Sequence, residues 1–190
     1  MIKKHGSELQ SASQTERPLI ASARALLYAA VFFLAALPSF GQINYVPLFT
    51  IERNTNANVV HYEARLKDGK IDPHQPVIAY WIMAAEDGRR QELNLIERIK
   101  AFGFSIHPDG VPESYRMVIV SDKKKEIRVL RVGNSVRAEA NIGACNAALR
   151  KIFISAHRSF LIGLPEYAEM SGTDITTGAP CSERVTPGER

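Results

Sequence analysis

Val59–Leu66 reads VVHYEARL, and its alternation decides how the rest of the chain is read. Val60, Tyr62, Ala64 and Leu66 share one face, while His61, Glu63 and Arg65 take the other. That period of two is what a half-buried strand requires. Just before it lie the apolar stretch Val46–Arg53 and the Asn-rich corner Asn54–Asn58, a second strand and its turn. Asp68-Gly69 closes the alternating run, and the Pro-containing stretch from Lys67 to Gln75 is a loop.

Working outward, Pro76–Ala84 (PVIAYWIMA) is apolar on both faces, which predicts a strand covered on both sides. Arg90–Phe102 (RQELNLIERIKAF) changes period. Leu93, Ile96 and Ile99 recur at helical spacing, which predicts one short helix near residues 90–101 lying over that strand. Strands then follow at Phe102–His107, Ser114–Ser121, Glu126–Val132, Ser135–Ile142, Ala148–Ser155 and Tyr167–Ser171, with turn residues between them. The expected fold is mainly β: an antiparallel meander forming a closed or partly closed barrel, or a sandwich, over residues 42–175. A polar tail, 176–190, is expected to be loose unless Cys181 holds it.

The N-terminus reads differently. Residues 1–24 carry Lys3, Lys4, Arg17 and Arg24, and Ala25–Leu37 (ALLYAAVFFLAAL) is an unbroken apolar run of 13 residues. Small residues follow at Ser39 and Gly41. A basic start, a short apolar run and a small-x-small exit make a secretory signal helix over 1–41, cleaved after Gly41. The run is short for a bilayer span, which needs about 20 residues, but the alternative is an uncleaved inner-membrane anchor at 25–37. The expected location is outside the cytoplasm, periplasmic or secreted. No Cys stands between Ala35 and Gln42 for a lipid anchor.

Charge excludes one class of partner. Residues 42–190 hold 20 Lys and Arg against 18 Asp and Glu, so half of the whole chain's net charge of +4 belongs to the leader and the small remainder is no nucleic-acid footprint. Cys145 and Cys181 are either a disulfide, which export permits, or two unpaired thiols.

Enzymatic signals are sparse. There is no Gly-x-Ser-x-Gly elbow, no Cys-x-x-Cys, no His-x-x-x-His and no phosphate-binding Gly loop. No catalytic residue, metal ligand or cofactor is assigned. Glu86, Asp87, Glu92 and Glu97 form the one acidic cluster that suggests paired-carboxylate hydrolysis of envelope glycans. Turn, helix-dipole and solvated-face roles explain the same residues. Aromatic side chains with polar tips, Tyr62, Tyr80 and Trp81, are the material of a site for a small apolar or amphipathic ligand, with Arg90, Glu92 or Asn94 orienting it. Tyr80 and Trp81 point to opposite faces, so one of them belongs to the core. The expected function is therefore a non-enzymatic envelope module that binds a small ligand or a partner protein.

Several segments together resemble a known family. Ile51-Glu52-Arg53 with Asn56-Ala57-Asn58, then Pro76–Ile82, Asp87-Gly88, Glu92-Leu93-Asn94, Ala101-Phe102-Gly103 and the closing Glu166-Tyr167 and Gly172-Thr173-Asp174 carry the likeness. They resemble the small exported bacterial proteins catalogued as domain-of-unknown-function family 4833, over roughly residues 46–180. The resemblance implies a shared architecture and supplies no activity, substrate or catalytic residue.

Overall fold

In the computed structural model, which describes residues 42–156 and 165–186, the alternation of the opening stretch becomes strand β2 (Asn56–Lys67). Val60, Tyr62 and Ala64 are buried, and His61, Glu63 and Arg65 lie on the opposite face. Antiparallel neighbours flank it: β1 (Ile43–Arg53) on one edge, β4 (Val77–Met83) and the short β3 (Lys70–Ile71) on the other. Beyond β4 comes β5 (Arg89–Glu92). A second antiparallel run comprises β6 (Phe104–Pro108), β7 (Ser114–Ile119), β8 (Asp122–Val132) and β9 (Ser135–Ile142). Last come β10 (Cys145–Ala156), β11 (Pro165–Asp174) and β12 (Pro180–Val185). The signal helix expected over 1–41 lies outside the described residues.

β10 joins the two runs. Its first residues, Cys145–Ala148, pair with β9, and Lys151–Ile154 pair with β1. Both neighbours lie on the edge opposite β11, so β10 passes from one to the other along its length. The β10–β11 register slips between Leu149 and Lys151, where the hand-over occurs. An extra residue at such a point bends a strand and lets it turn from one sheet into another. Gly172 sits opposite Leu149, and a Cβ there would collide with the Ala148 carbonyl.

The outcome is a curled half-barrel with two wings, β5-β4-β2-β1 and β6-β7-β8-β9. Edge strands β5 and β6 do not pair with each other, so the barrel is only partly closed. The expected all-antiparallel meander needs correcting, because β1 and β10 pair in parallel and the sheet is mixed. Hairpin turns enforce antiparallel neighbours, but β1 and β10 are joined by the whole length of both wings, a connection long enough to allow either direction. The core fills the space between the inner faces. Ile51, Val60 and Tyr62 meet Met117, Ile127, Val129 and Ile142, all fully buried. Phe49 stacks on Tyr62 with centroids 4.5 Å apart.

The expected covering helix also needs correcting. Residues 89–92 are strand, and the helix, α1, is only Leu95–Lys100. A capping box starts it: the Asn94 side chain accepts from the Glu97 N–H, and the Glu97 carboxylate accepts from the Asn94 N–H. At its end the N–H groups of Ala101 and Phe102 both donate to the Glu97 carbonyl. Leu93 and Phe102, just outside the helix, are buried, whereas Leu95, Ile96 and Ile99 are 71, 74 and 56% exposed. Fewer than two turns remain between the two anchors, too short to lay an apolar stripe on a sheet. Trp81 is covered instead by the edge of Phe102, 5.0 Å away, and by the Arg53 guanidinium, 4.6 Å from its ring centroid.

The tail is strand as well. β12 pairs along β11, and Cys181 is bonded to Cys145 across a Cα separation of 6.4 Å.

Candidate functional site

Where the wings part, an apolar groove of about 310 Å³ opens against the second half of β10. Ile51 of β1, Ile152 and Ile154 of β10, and Ala168 and Met170 of β11 form one wall, and Ile119 and Ile127 of β7 and β8 form the other. Alternation aims these side chains inward: Ile51 pairs with Ile152, and Ala168 lies between Ile154 and Val185. One end is polar. The Lys125 ammonium meets the Glu183 carboxylate at 2.6 Å, with Ser121, Asp122 and Thr186 beside them. An apolar body with a polar end is the ordinary character of a small-ligand site, and the volume lies at the small end of the usual range of about 300–1,000 Å³.

None of the six residues expected to bind a ligand lines this groove. Tyr62 is in the core, where its hydroxyl donates to the Phe102 carbonyl at 2.5 Å. Burial raises its pKa far above the ordinary tyrosine value. Trp81 is also core, leaving Tyr80 as the one of the pair on the outer face. There Arg90 lies 3.7 Å over the Tyr80 ring, and His61 stacks beside it. The Tyr80 hydroxyl is pushed up to about 12 by burial, then by its hydrogen bond to Glu63 and that group's negative charge, with Arg90 opposing. Asn94 caps α1.

Arg90 and Glu92 do share a second recess, of about 440 Å³, with Tyr45, Gln75, Ile78 and Arg98. It lies beside Val77–Ala79, the part of β4 that β5 does not cover. Glu92 is ion-paired there with both Arg98, at 3.2 Å, and Arg90, at 3.7 Å.

The acidic cluster does not converge. Glu86 bonds Arg89 at 2.7 Å, Glu92 pairs with the arginines of the recess, and Glu97 is committed to the helix cap. Those three carboxylates each serve a separate local contact, Asp87 sits at a left-handed turn position, and neither the groove nor the recess collects two of the four. Beside Glu97, burial lowers the Arg53 pKa, and the Glu97 charge opposes the shift. Cys145, Asp174 and Cys181 lie close enough together to suggest a metal site. The two sulfurs are bonded to each other, however, and are no thiolate ligands. Asp174 accepts from the backbone of Thr176 and Thr177.

The groove was not foreseeable from local pattern. Its residues come from six strands between positions 51 and 185, and only the β10 hand-over brings them together. The one local signal is the Ile152-x-Ile154 alternation, which reads equally well as ordinary core.

No curated protein and no solved structure matches this chain. A family model does match, over residues 49–184, from the middle of β1 into β12. The protein thus belongs to the family described as Domain of unknown function (DUF4833), and that domain makes up most of the half-barrel.

Proposed function

We propose that this DUF4833 protein is a non-enzymatic ligand-binding module whose groove holds a small apolar or amphipathic molecule. The observation that carries the reading is the aliphatic lining of the groove, capped at one end by the Lys125–Glu183 pair. An apolar cavity of about 150 Å³ suffices for a benzene ring, so a 310 Å³ groove has room for a short alkyl chain or a two-ring compound. The scattered carboxylates favour binding over hydrolysis. An exported, envelope setting is part of the proposal. The leader pattern supports it, and the Cys145–Cys181 bond supports an oxidising compartment.

The test is a thermal-shift and native mass-spectrometry screen of residues 42–190 with decanoate, dodecanol and naphthalene derivatives. A ligand at about 100-fold its Kd stabilises by about 2.7 kcal/mol, which raises Tm by about 5–10 °C. Ala168→Phe fills the groove from the β11 wall and is expected to abolish that shift while leaving the protein folded. Bare protein in every spectrum, or a shift that survives Ala168→Phe, would defeat the proposal.

A further inference from the structure

We infer that the groove between the wings takes an uncharged amphiphile: an alkyl chain whose head both donates and accepts hydrogen bonds, as an alcohol or a primary amide does. The inference rests on the ligand-binding reading above and adds the chemistry of the head. The walls suit a chain, since they are aliphatic and no aromatic ring lines them. The polar end is an ion pair that spans the groove. Lys125 comes from β8 and Glu183 from β12, and they meet at 2.6 Å with their side chains only 22 and 29% exposed. Alternation puts Lys125 on the face of β8 that carries Ile127, and Glu183 on the face of β12 that carries Val185. Ile127 and Val185 both line the groove, so the pair stands directly above the apolar body.

An ammonium has three donor hydrogens and a carboxylate about four acceptor sites, so each partner can serve more than their mutual contact. A hydroxyl or amide head accepts from Lys125 and donates to Glu183 without parting them. A carboxylate head would set another anion beside Glu183, and Asp122, itself engaged in an interaction, lines the same end. An ammonium head would set another cation beside Lys125, with Lys123 and Lys124 next to it in the chain. Like charges repel more strongly in a half-buried site than in water, and salt screens them less there. The wider surroundings do not override this. Segments 121–126 and 182–186 with their ion partners carry Lys123, Lys124, Lys125, Arg184 and Arg116 against Asp122, Glu126, Glu183 and Glu169, five cations against four carboxylates. Neither sign is in strong excess, so the local pair decides the head.

The experiment titrates residues 42–190, which contain the whole core, with decanol, decanamide, decanoate and decylamine, and reads Kd by calorimetry. The four share a ten-carbon skeleton and differ in the head. Decanol and decanamide are expected to bind at least about 10-fold tighter than decanoate or decylamine. Because an apolar pocket of any kind prefers an uncharged ligand, two variants test the role of the pair itself. Glu183→Gln leaves the ammonium, and should raise the affinity of decanoate relative to decanol by about 10-fold. Lys125→Gln leaves the carboxylate, and should raise decylamine relative to decanol by about as much. Circular dichroism melts check that each variant folds, and either one alone decides the matter. Charged heads that bind as tightly as decanol, or variants that leave these ratios unmoved, would overturn the head-group inference while the groove stands. No binding by any of the four compounds, or binding that survives Ala168→Phe, would overturn the groove reading and this inference with it.

Discussion

Two apolar segments, separated by residues 84–94, behave in opposite ways. In β4, Val77 and Trp81 point into the core between the wings and are almost wholly buried. In α1, Leu95, Ile96 and Ile99 are just as apolar and stand in solvent. What separates them is the partner each register offers. Val60 of β2 sits opposite Trp81, and Phe102 and Arg53 close over that ring. The helix is held at both ends by Leu93 and Phe102, and its middle has no surface left to meet. Apolar content therefore reports that a segment wants cover, while only the pairing decides whether the cover comes from within the molecule.

The largest effect expected from breaking this contrast is on the β4 side. Trp81→Ala removes the ring beneath Phe102 and Arg53 and should cost about 3–5 kcal/mol in denaturant unfolding. Next is the disulfide that ties β12 to the start of β10. Replacing both Cys145 and Cys181 by Ser frees a 36-residue separation, and loss of about 2–4 kcal/mol is expected. Lowered cooperativity of β12 in hydrogen exchange would accompany it.

Alkaline pH gives a third and smaller effect. Tyr62 and Tyr80 both hold their protons above the ordinary tyrosine range, because burial disfavours the phenolate. Their contribution is fully present below about pH 10, where the unfolded chain also keeps its tyrosines neutral. Above that, the unfolded chain loses protons that the folded one keeps, so stability falls as pH rises. Tyr80→Phe should flatten the fall between about pH 10 and the Tyr80 value of about 12, as read from urea melts at stepped pH. The smallest effect is expected on the α1 side. Leu95→Ser, Ile96→Ser and Ile99→Ser should each change stability by no more than about 0.5 kcal/mol. A loss near that of Trp81→Ala would mean that the helix is buried after all.

The same contrast explains how much was legible in the sequence. Ser135–Ile142 alternates cleanly, and β9 has the same bounds. The inner face of β2 follows the alternation of Val60, Tyr62 and Ala64 directly. Local pattern was enough there because one face of each strand meets one core. It failed at residues 89–100, where helical spacing of Leu93, Ile96 and Ile99 concealed a strand, a capping box and two anchors. The outer cover of Tyr80 is the Arg90 side chain, which periodicity does not reveal. β12 reads as a polar tail because Ser182, Glu183 and Arg184 belong to an edge strand, held there by Cys181. The parallel β1–β10 pairing, and the groove it creates, depend on residues about a hundred positions apart, and no local rule carries that information.

The central claim is that the space between the wings, and not the outer aromatic face, receives the ligand. It is tested most directly by methyl NMR of isoleucine-labelled residues 42–190 titrated with decanoate below its micelle threshold. The account predicts shifts at Ile51, Ile119, Ile127, Ile152 and Ile154, which line the groove, with Ile78 and Ile82 on the outer face of β4 unmoved. Shifts confined to Ile78 and Ile82, or none at all with any apolar ligand of that size, would contradict it.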